Sequence, residues 1–129
     1  RSCAVIMDAC LERLRQEGVR TAVVSNKPDR TTRTLAARFF PELDGAMGQR
    51  EGIASKPAPD MVRAALDQLH AAPEETLYVG DSEVDVATAR NAGLDMIGVA
   101  WGFRGRAALE AAGAPLVADT PEQLLDMLQ

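Results

Sequence analysis

The sequence is poor in the residues that build metal clusters and disulfide frameworks. Its 129 residues include two cysteines and one histidine. Cys3 and Cys10 are too few for a structural metal site. If their segment is helical, both lie on one face, where a disulfide has poor geometry. We therefore predict reduced thiols in a cytoplasmic protein.

Basic runs and long apolar runs are absent as well. The formal net charge is −5 at pH 7, and no local cluster of lysine and arginine offsets it. We therefore expect neither a nucleic-acid partner nor an anionic membrane surface. No stretch approaches the roughly 18 apolar residues that a membrane-spanning helix needs.

What the sequence does contain is a regular alternation of apolar strands and amphipathic helices. Hydrophobic residues make up 47% of the chain, which is enough for one domain with a buried core. Strands are predicted over 20–24, 45–48, 77–79, 96–100 and 116–118, and helices over 7–16, 29–39, 59–69, 86–93, 106–112 and 121–128. This alternation predicts a single domain over residues 1–129, with a doubly wound parallel α/β sheet.

Two carboxylates lie at the turn between a predicted strand and the next helix. Asp81 follows the apolar run 77–79 and Gly80, and Asp85 comes four residues later. In an open parallel sheet, ligands bind at the carboxyl ends of the strands. Mg²⁺ usually takes one or two carboxylates and fills its other sites with water and substrate phosphate. Asp81 and Asp85 are therefore candidate metal ligands, with a simple helix N-cap as the alternative.

Two further polar clusters fall where predicted strands end or helices begin. Ser25 and Asn26 offer a hydroxyl and backbone N–H groups at a helix N-terminus, which together can bind an anion. Lys56 lies on a proline-rich segment, which favours a fixed ammonium suited to a phosphoryl group. Taken singly, a plain turn and a solvated lysine explain these residues better. Taken with Asp81 and Asp85 on one sheet edge, they predict a phosphoryl-transfer site that uses Mg²⁺.

These segments resemble the haloacid dehalogenase superfamily of hydrolases, and within it the phosphoglycolate phosphatase-like group. The matching segments are 23–28, 55–60, 78–82 with Asp85, 89–93, 98–102 and 111–114. The resemblance implies a Rossmann-like core and Mg²⁺-dependent hydrolysis of a phosphate monoester, a small phosphorylated metabolite, through an aspartyl-phosphate.

The resemblance also implies a role for each matching polar residue. Ser25 would donate a hydrogen bond to a phosphoryl oxygen, with the Asn26 backbone N–H beside it. Lys56 would neutralise phosphate charge and steady the nucleophile. Asp81 would bind Mg²⁺ directly or through water, and Asp85 would support the metal or orient Lys56.

The chain departs from the family pattern at its start. It lacks the Asp-x-Asp-Gly-Thr motif, whose first Asp attacks phosphorus and whose second acts as general acid and base, and it lacks the cap domain that normally follows. We therefore expect the C-terminal part of a phosphatase, inactive alone, with a sheet that is incomplete without its N-terminal strand. We expect the resulting gap to be filled by a further N-terminal segment, by a strand from a second copy, or by closure of the flanking strands.

Two other interpretations stay open at this point. The chain could be a catalytically inert phosphate- and metal-binding or interaction domain of the same fold. It could also be an unrelated flavodoxin-like or receiver-type domain, although the Lys-Pro-x-Pro-Asp segment at 56–60 speaks against this. We expect His70, near a helix C-terminus, to be non-catalytic, and Trp101 to line the mouth of the pocket.

Overall fold

The computed structural model describes residues 3–5, 18–41, 43–101 and 104–128. In these ranges the strands are β1 (Cys3–Val5), β2 (Arg20–Pro28), β3 (Gly45–Gln49), β4 (Thr76–Gly80), β5 (Asp95–Val99) and β6 (Val117–Ala118). The helices are α1 (Asp29–Phe39), α2 (Asp60–Leu69), α3 (Glu83–Ala92), α4 (Gly105–Ala111) and α5 (Pro121–Leu128), with a 3₁₀ turn at Pro73–Glu75. The described strands form one sheet in the order β3-β2-β1-β4-β5-β6.

All of these strand pairs are parallel. The order confirms the predicted Rossmann-like, doubly wound α/β class, because the winding reverses between β1 and β4. Such a reversal leaves a crevice at the carboxyl ends of the central strands, where ligands of this fold class bind. The carboxyl ends of β2 and β4 flank that crevice.

From residue 20 onward, the predicted elements are confirmed with small shifts at their ends. Helix α5 has the predicted bounds. Helix α3 ends at Ala92 and is followed by Gly93, whose φ of 73° suits the left-handed cap that closes a helix. Strand β2 is longer than predicted and continues through 25–28, where its register with β3 shifts. The polar segment after Val24 therefore continues the strand, with a local irregularity between Val24 and Pro28. The predicted helix over 7–16 lies outside the described residues.

The centre of the sheet differs from the sequence-based expectation. Strand β1 pairs with both β2 and β4, and Cys3 is opposite both Arg20 and Thr76. The prediction that the central gap is filled is confirmed, but the three proposed sources were wrong, because Cys3–Val5 of the chain itself occupy it. An unpaired buried backbone group costs about 1–3 kcal/mol, so two neighbouring strands strongly favour even a three-residue partner between them.

The two faces of the sheet carry separate apolar clusters. Because side chains alternate along a strand, Tyr78 points to the face covered by α2 and α3, whereas Leu77 and Val79 point to the other face. Both faces of β4 are buried, as parallel sheets require. In the described part of the chain, no helix has the length and apolarity needed to cross a membrane.

Candidate functional site

Lys56 and Asp85 form a buried ion pair beside the crevice. Lys56 lies in the loop between β3 and α2, and its Nζ is 3.0 Å from Asp85 Oδ1 in the first turn of α3. The side chains are 12% and 6% exposed. Burial by itself would raise the pKa of Asp85. The charge and hydrogen bond of Lys56, together with hydrogen bonds from Tyr78 and the Asp81 backbone, hold the pKa below its ordinary range. Asp85 is therefore ionised at neutral pH and anchors the ammonium.

Tyr78 is a third member of this cluster that the sequence analysis missed. Its hydroxyl donates to Asp85 Oδ1 at 2.8 Å and accepts from Lys56 Nζ at 3.4 Å. Burial, followed by the negative charge of Asp85, raises the pKa of Tyr78 far above its ordinary value, so the phenol stays a neutral donor. The available signal was a tyrosine inside a fully buried strand, where a hydroxyl needs a partner.

The second oxygen of Asp85 is also engaged, in a capping box at the start of α3. Oδ2 accepts from the backbone N–H of Asp81 at 3.0 Å, and from the backbone N–H and hydroxyl of Ser82 at 3.3 and 3.1 Å. The helix N-cap is therefore Ser82, with Asp85 three residues later. Because both carboxylate oxygens already accept at least two hydrogen bonds, the arrangement favours orientation of Lys56 over direct metal binding by Asp85, whose metal role stays a prediction.

Gly80 is required by the close approach of Asp85. A Cβ at position 80 would lie 2.3 Å from Asp85 Cβ and 2.6 Å from Asp85 Oδ2, far inside van der Waals contact. The Gly-Asp pair at the end of β4 therefore has a steric explanation: glycine admits the carboxylate that holds Lys56.

Asp81 is half-buried at the carboxyl end of β4, next to this cluster. After burial and Asp85, its negative charge is a further cause of the raised pKa of Tyr78. Among the described residues, no group of three or more His, Cys, Asp and Glu side chains is placed to hold a metal. A single carboxylate is nevertheless a donor set that Mg²⁺ accepts when water and substrate phosphate supply the other ligands. Asp81 as metal ligand stays a prediction.

Ser25 and Lys56, which are 31 positions apart in the sequence, line the same cavity of about 270 Å³. The apolar part of its wall includes Val23, Leu35 and Phe40. The hydroxyl oxygen of Ser25 accepts the Lys27 backbone N–H at 3.1 Å, which is the local turn that the sequence analysis considered as an alternative. That hydrogen bond uses an acceptor position and leaves the hydroxyl proton available to a ligand.

His70 and Trp101 lie at different places in the fold. His70 caps α2 with a φ of 54°, and its carbonyl accepts from Arg20, the first residue of β2. It is therefore at the amino edge of the sheet, opposite the candidate site. Trp101 follows β5 and is 37% exposed, and its role at the pocket mouth stays a prediction.

Comparisons with known proteins identify the family that this chain resembles in sequence. The family model for haloacid dehalogenase-like hydrolases matches residues 6–93. Pyrophosphatase PpaX of Bacillus mycoides is 32% identical over 123 residues, which are 92% of this chain and 56% of that protein.

Solved structures show the same similarity. The crystal structure of a "putative phosphoglycolate phosphatase" from Lactobacillus delbrueckii subsp. bulgaricus superposes with a TM-score of 0.89 at 43% identity, covering 92% of this chain and 50% of that one. A haloacid dehalogenase-like family hydrolase from Streptococcus pneumoniae superposes with a TM-score of 0.80 at 25% identity, covering 92% and 56%. The chain thus spans about half the length of these relatives.

Proposed function

Because the chain belongs to the haloacid dehalogenase-like hydrolase family, we propose that it supplies the phosphate-binding part of a Mg²⁺-dependent phosphatase or pyrophosphatase. The substrate would be a small phosphorylated metabolite, hydrolysed through an aspartyl-phosphate in a cytoplasmic enzyme. The observation that carries this proposal is the buried Lys56 ammonium, fixed by Asp85 and sharing a cavity with Ser25.

Lys56 has the right donors for a phosphoryl group. An ammonium has three N–H donors; two of them are directed at Asp85 and Tyr78, which leaves the third for a phosphoryl oxygen. The Ser25 hydroxyl proton is available to a second oxygen of the same group. A charge held in place before substrate binds needs little reorganisation during the reaction, which is how fixed groups stabilise developing negative charge.

Asp81 is the residue that would hold Mg²⁺. When bound, the metal ion would neutralise charge on the phosphoryl oxygens. Asp85 would act on the same site indirectly, because its Oδ2 accepts the Asp81 backbone N–H while its Oδ1 holds Lys56. One buried carboxylate thereby couples the position of the proposed metal ligand to that of the proposed phosphate ligand.

The attacking carboxylate is the part of the chemistry that these residues do not supply. We propose that it belongs to an Asp-x-Asp-Gly-Thr segment of the whole protein. The purified 129-residue chain should then bind phosphate but show no turnover of p-nitrophenyl phosphate, since no covalent intermediate can form. Metal-dependent turnover that scales with protein concentration and is abolished by Asp81→Ala would contradict this.

A further inference from the structure

The loop that carries Lys56 has no regular secondary structure between β3 and α2. Its ammonium is held by Asp85 and Tyr78, but a side chain this long needs its backbone fixed as well if the charge is to stay in one place. The backbone of Lys56 is fixed by a residue from a different part of the fold, Asn26, near the end of β2.

Asn26 bonds both backbone groups of Lys56 with one side chain. Its Oδ1 accepts the Lys56 N–H at 2.8 Å, and its Nδ2 donates to the Lys56 carbonyl at 3.2 Å. A carboxamide is suited to this because it offers an acceptor and a donor side by side, as a neighbouring strand would. Aspartate would keep the acceptor and lose the donor, and alanine would lose both.

We propose that the Asn26 side chain is a positioning residue for Lys56, holding the lysine backbone so that the ammonium meets both Asp85 and the bound phosphate. This role belongs to the side-chain amide and is separate from the backbone N–H of the same residue, which the family resemblance assigns to phosphate. It rests on the proposed function in one respect, namely that Lys56 binds phosphate.

A second attachment shows what Asn26 contributes that other loop contacts do not. Asn91, on α3, donates from Nδ2 to the carbonyl of Pro57 at 2.9 Å. That single bond holds the loop from the side of α3 but does not bond Lys56 itself. Of the two asparagines that contact this loop, only Asn26 bonds the N–H and the carbonyl of Lys56 together.

A double-mutant cycle on phosphate affinity tests the proposal. The dissociation constant of inorganic phosphate, with Mg²⁺ present, is measured by calorimetric titration for the wild-type chain, Asn26→Ala, Lys56→Ala and the double variant. Alanine keeps the backbone N–H at position 26, so Asn26→Ala removes the amide alone. We expect it to weaken binding about threefold to tenfold, the range of one ordinary hydrogen bond, and to weaken binding no further when Lys56 is already alanine.

Gln123→Ala is the matched control. Its Oε1 also accepts a backbone N–H, that of Asp119 at 2.7 Å, on the last helix of the chain. This variant should lower the free energy of unfolding and leave the phosphate dissociation constant unchanged. If Asn26→Ala behaves in the same way, Asn26 only stabilises the loop and the proposal is wrong. If it weakens binding equally in both backgrounds, Asn26 acts on phosphate directly and the proposal is also wrong.

Hydrogen exchange separates this inference from the proposed function. If Lys56→Ala binds phosphate as tightly as the wild type, the proposed function fails. The exchange rate of the Lys56 backbone amide then still tests whether Asn26 holds that amide. Asn26→Ala should speed the exchange, whereas Asn26→Asp, which keeps the acceptor, should not. Equal exchange in all three proteins would show that Asn26 does not hold Lys56.

Discussion

The structure contains two ion-pair clusters that differ mainly in their access to water. Arg106 makes the more numerous contacts: two hydrogen bonds to Asp119, at 2.9 and 2.7 Å, and one to Glu110 at 2.9 Å. These three side chains are between 44% and 54% exposed. Lys56 makes a single ionic contact, to Asp85 at 3.0 Å, with both side chains almost fully buried. If the contribution of each cluster to stability followed the number and length of its contacts, Arg106 would contribute more. If it followed burial, Lys56 would contribute more.

Burial decides which cluster the fold depends on. An exposed carboxylate that loses its partner is solvated by water, so exposed pairs contribute little. A buried carboxylate that loses its partner is left as an uncompensated charge, which is strongly destabilising. The Arg106 hydrogen bond lowers the pKa of Asp119, yet Asp119 is already ionised at neutral pH by virtue of its exposure. The pKa of Asp85, in contrast, is held down against the opposing effect of burial, and the charge of Lys56 is the first of the causes that lower it.

The largest expected effect follows from Lys56→Met, which keeps most of the side-chain volume and removes the charge. We expect the free energy of unfolding at neutral pH to fall by about 3–5 kcal/mol, because Asp85 is left buried without its cation. Lys27→Met is the control, because Lys27 is an exposed lysine on β2. It should change the free energy of unfolding little. Urea titrations measure both; equal stability of the two variants would contradict the comparison.

The same variant has a predicted pH dependence. The pKa of Asp85 is lower in the folded state than its ordinary value of 3.8. A carboxyl of this kind stabilises the fold above that value and loses its contribution as the pH falls toward the folded pKa. The destabilisation by Lys56→Met should therefore be largest at neutral pH. It should shrink as the pH falls from the folded-state pKa of Asp85 in the variant, where the lowering effect of Lys56 is lost, toward the lower folded-state pKa in the wild type. A cost that is constant with pH would mean that Lys56 acts through packing alone.

A smaller effect is expected from Tyr78→Phe, which removes one hydrogen bond to Asp85 and keeps the ion pair. A hydrogen bond to a charged group contributes about 1.5–3 kcal/mol, so the free energy of unfolding should decrease by an amount in that range.

The wild type has a predicted pH dependence at Tyr78. Because the pKa of Tyr78 is raised in the folded state, its contribution to stability is present below pH 10.0 and is lost as the pH rises above that value. Tyr78 is the single tyrosine, so tyrosinate absorbance should appear only when the chain unfolds. Titration near pH 10.0 in the folded chain would contradict this.

The smallest effect is expected from Arg106→Ala, even though it breaks the larger number of contacts. Both carboxylate partners, Asp119 and Glu110, are exposed, so water replaces their hydrogen bonds and no charge is stranded. The change in the free energy of unfolding should be smaller than for either buried variant, and should diminish further at about 1 M salt, where the screening length is about 3 Å. A loss as large as that of Lys56→Met would show that contact number, rather than burial, ranks these clusters.

The sequence predicted most of the fold because most of its elements are locally encoded. The apolar run at 77–79 and the glycine that closes α3 are signals that neighbouring residues carry by themselves. Strand β1 is different: three residues, Cys3–Val5, hold their place through pairing with strands that begin 17 and 73 positions later. No local pattern distinguishes such a segment from the start of a helix, and so the central strand was not predicted.

The residues of the candidate site also divide into those that a local sequence pattern identifies and those that it does not. The charged residues Lys56, Asp81 and Asp85 could be identified because charges next to predicted strand ends are unusual enough to need a function or a partner. Tyr78 and the side chain of Asn26 were not identified, because their importance lies in what they contact. Tyr78 has the pattern of an ordinary buried strand residue, and the partner of Asn26 is a backbone that lies 30 residues away.

The most direct test of the central claim is whether phosphate and Mg²⁺ bind to one site. The affinity of the chain for inorganic phosphate is measured without Mg²⁺ and with saturating Mg²⁺, in the wild type and in Asp81→Asn. If Asp81 holds the metal beside the phosphate bound by Lys56, Mg²⁺ should tighten phosphate binding in the wild type, phosphate should tighten Mg²⁺ binding by the same factor, and Asp81→Asn should abolish both effects. Phosphate binding that is indifferent to Mg²⁺ in the wild type, or equally enhanced by Mg²⁺ in Asp81→Asn, would contradict the account.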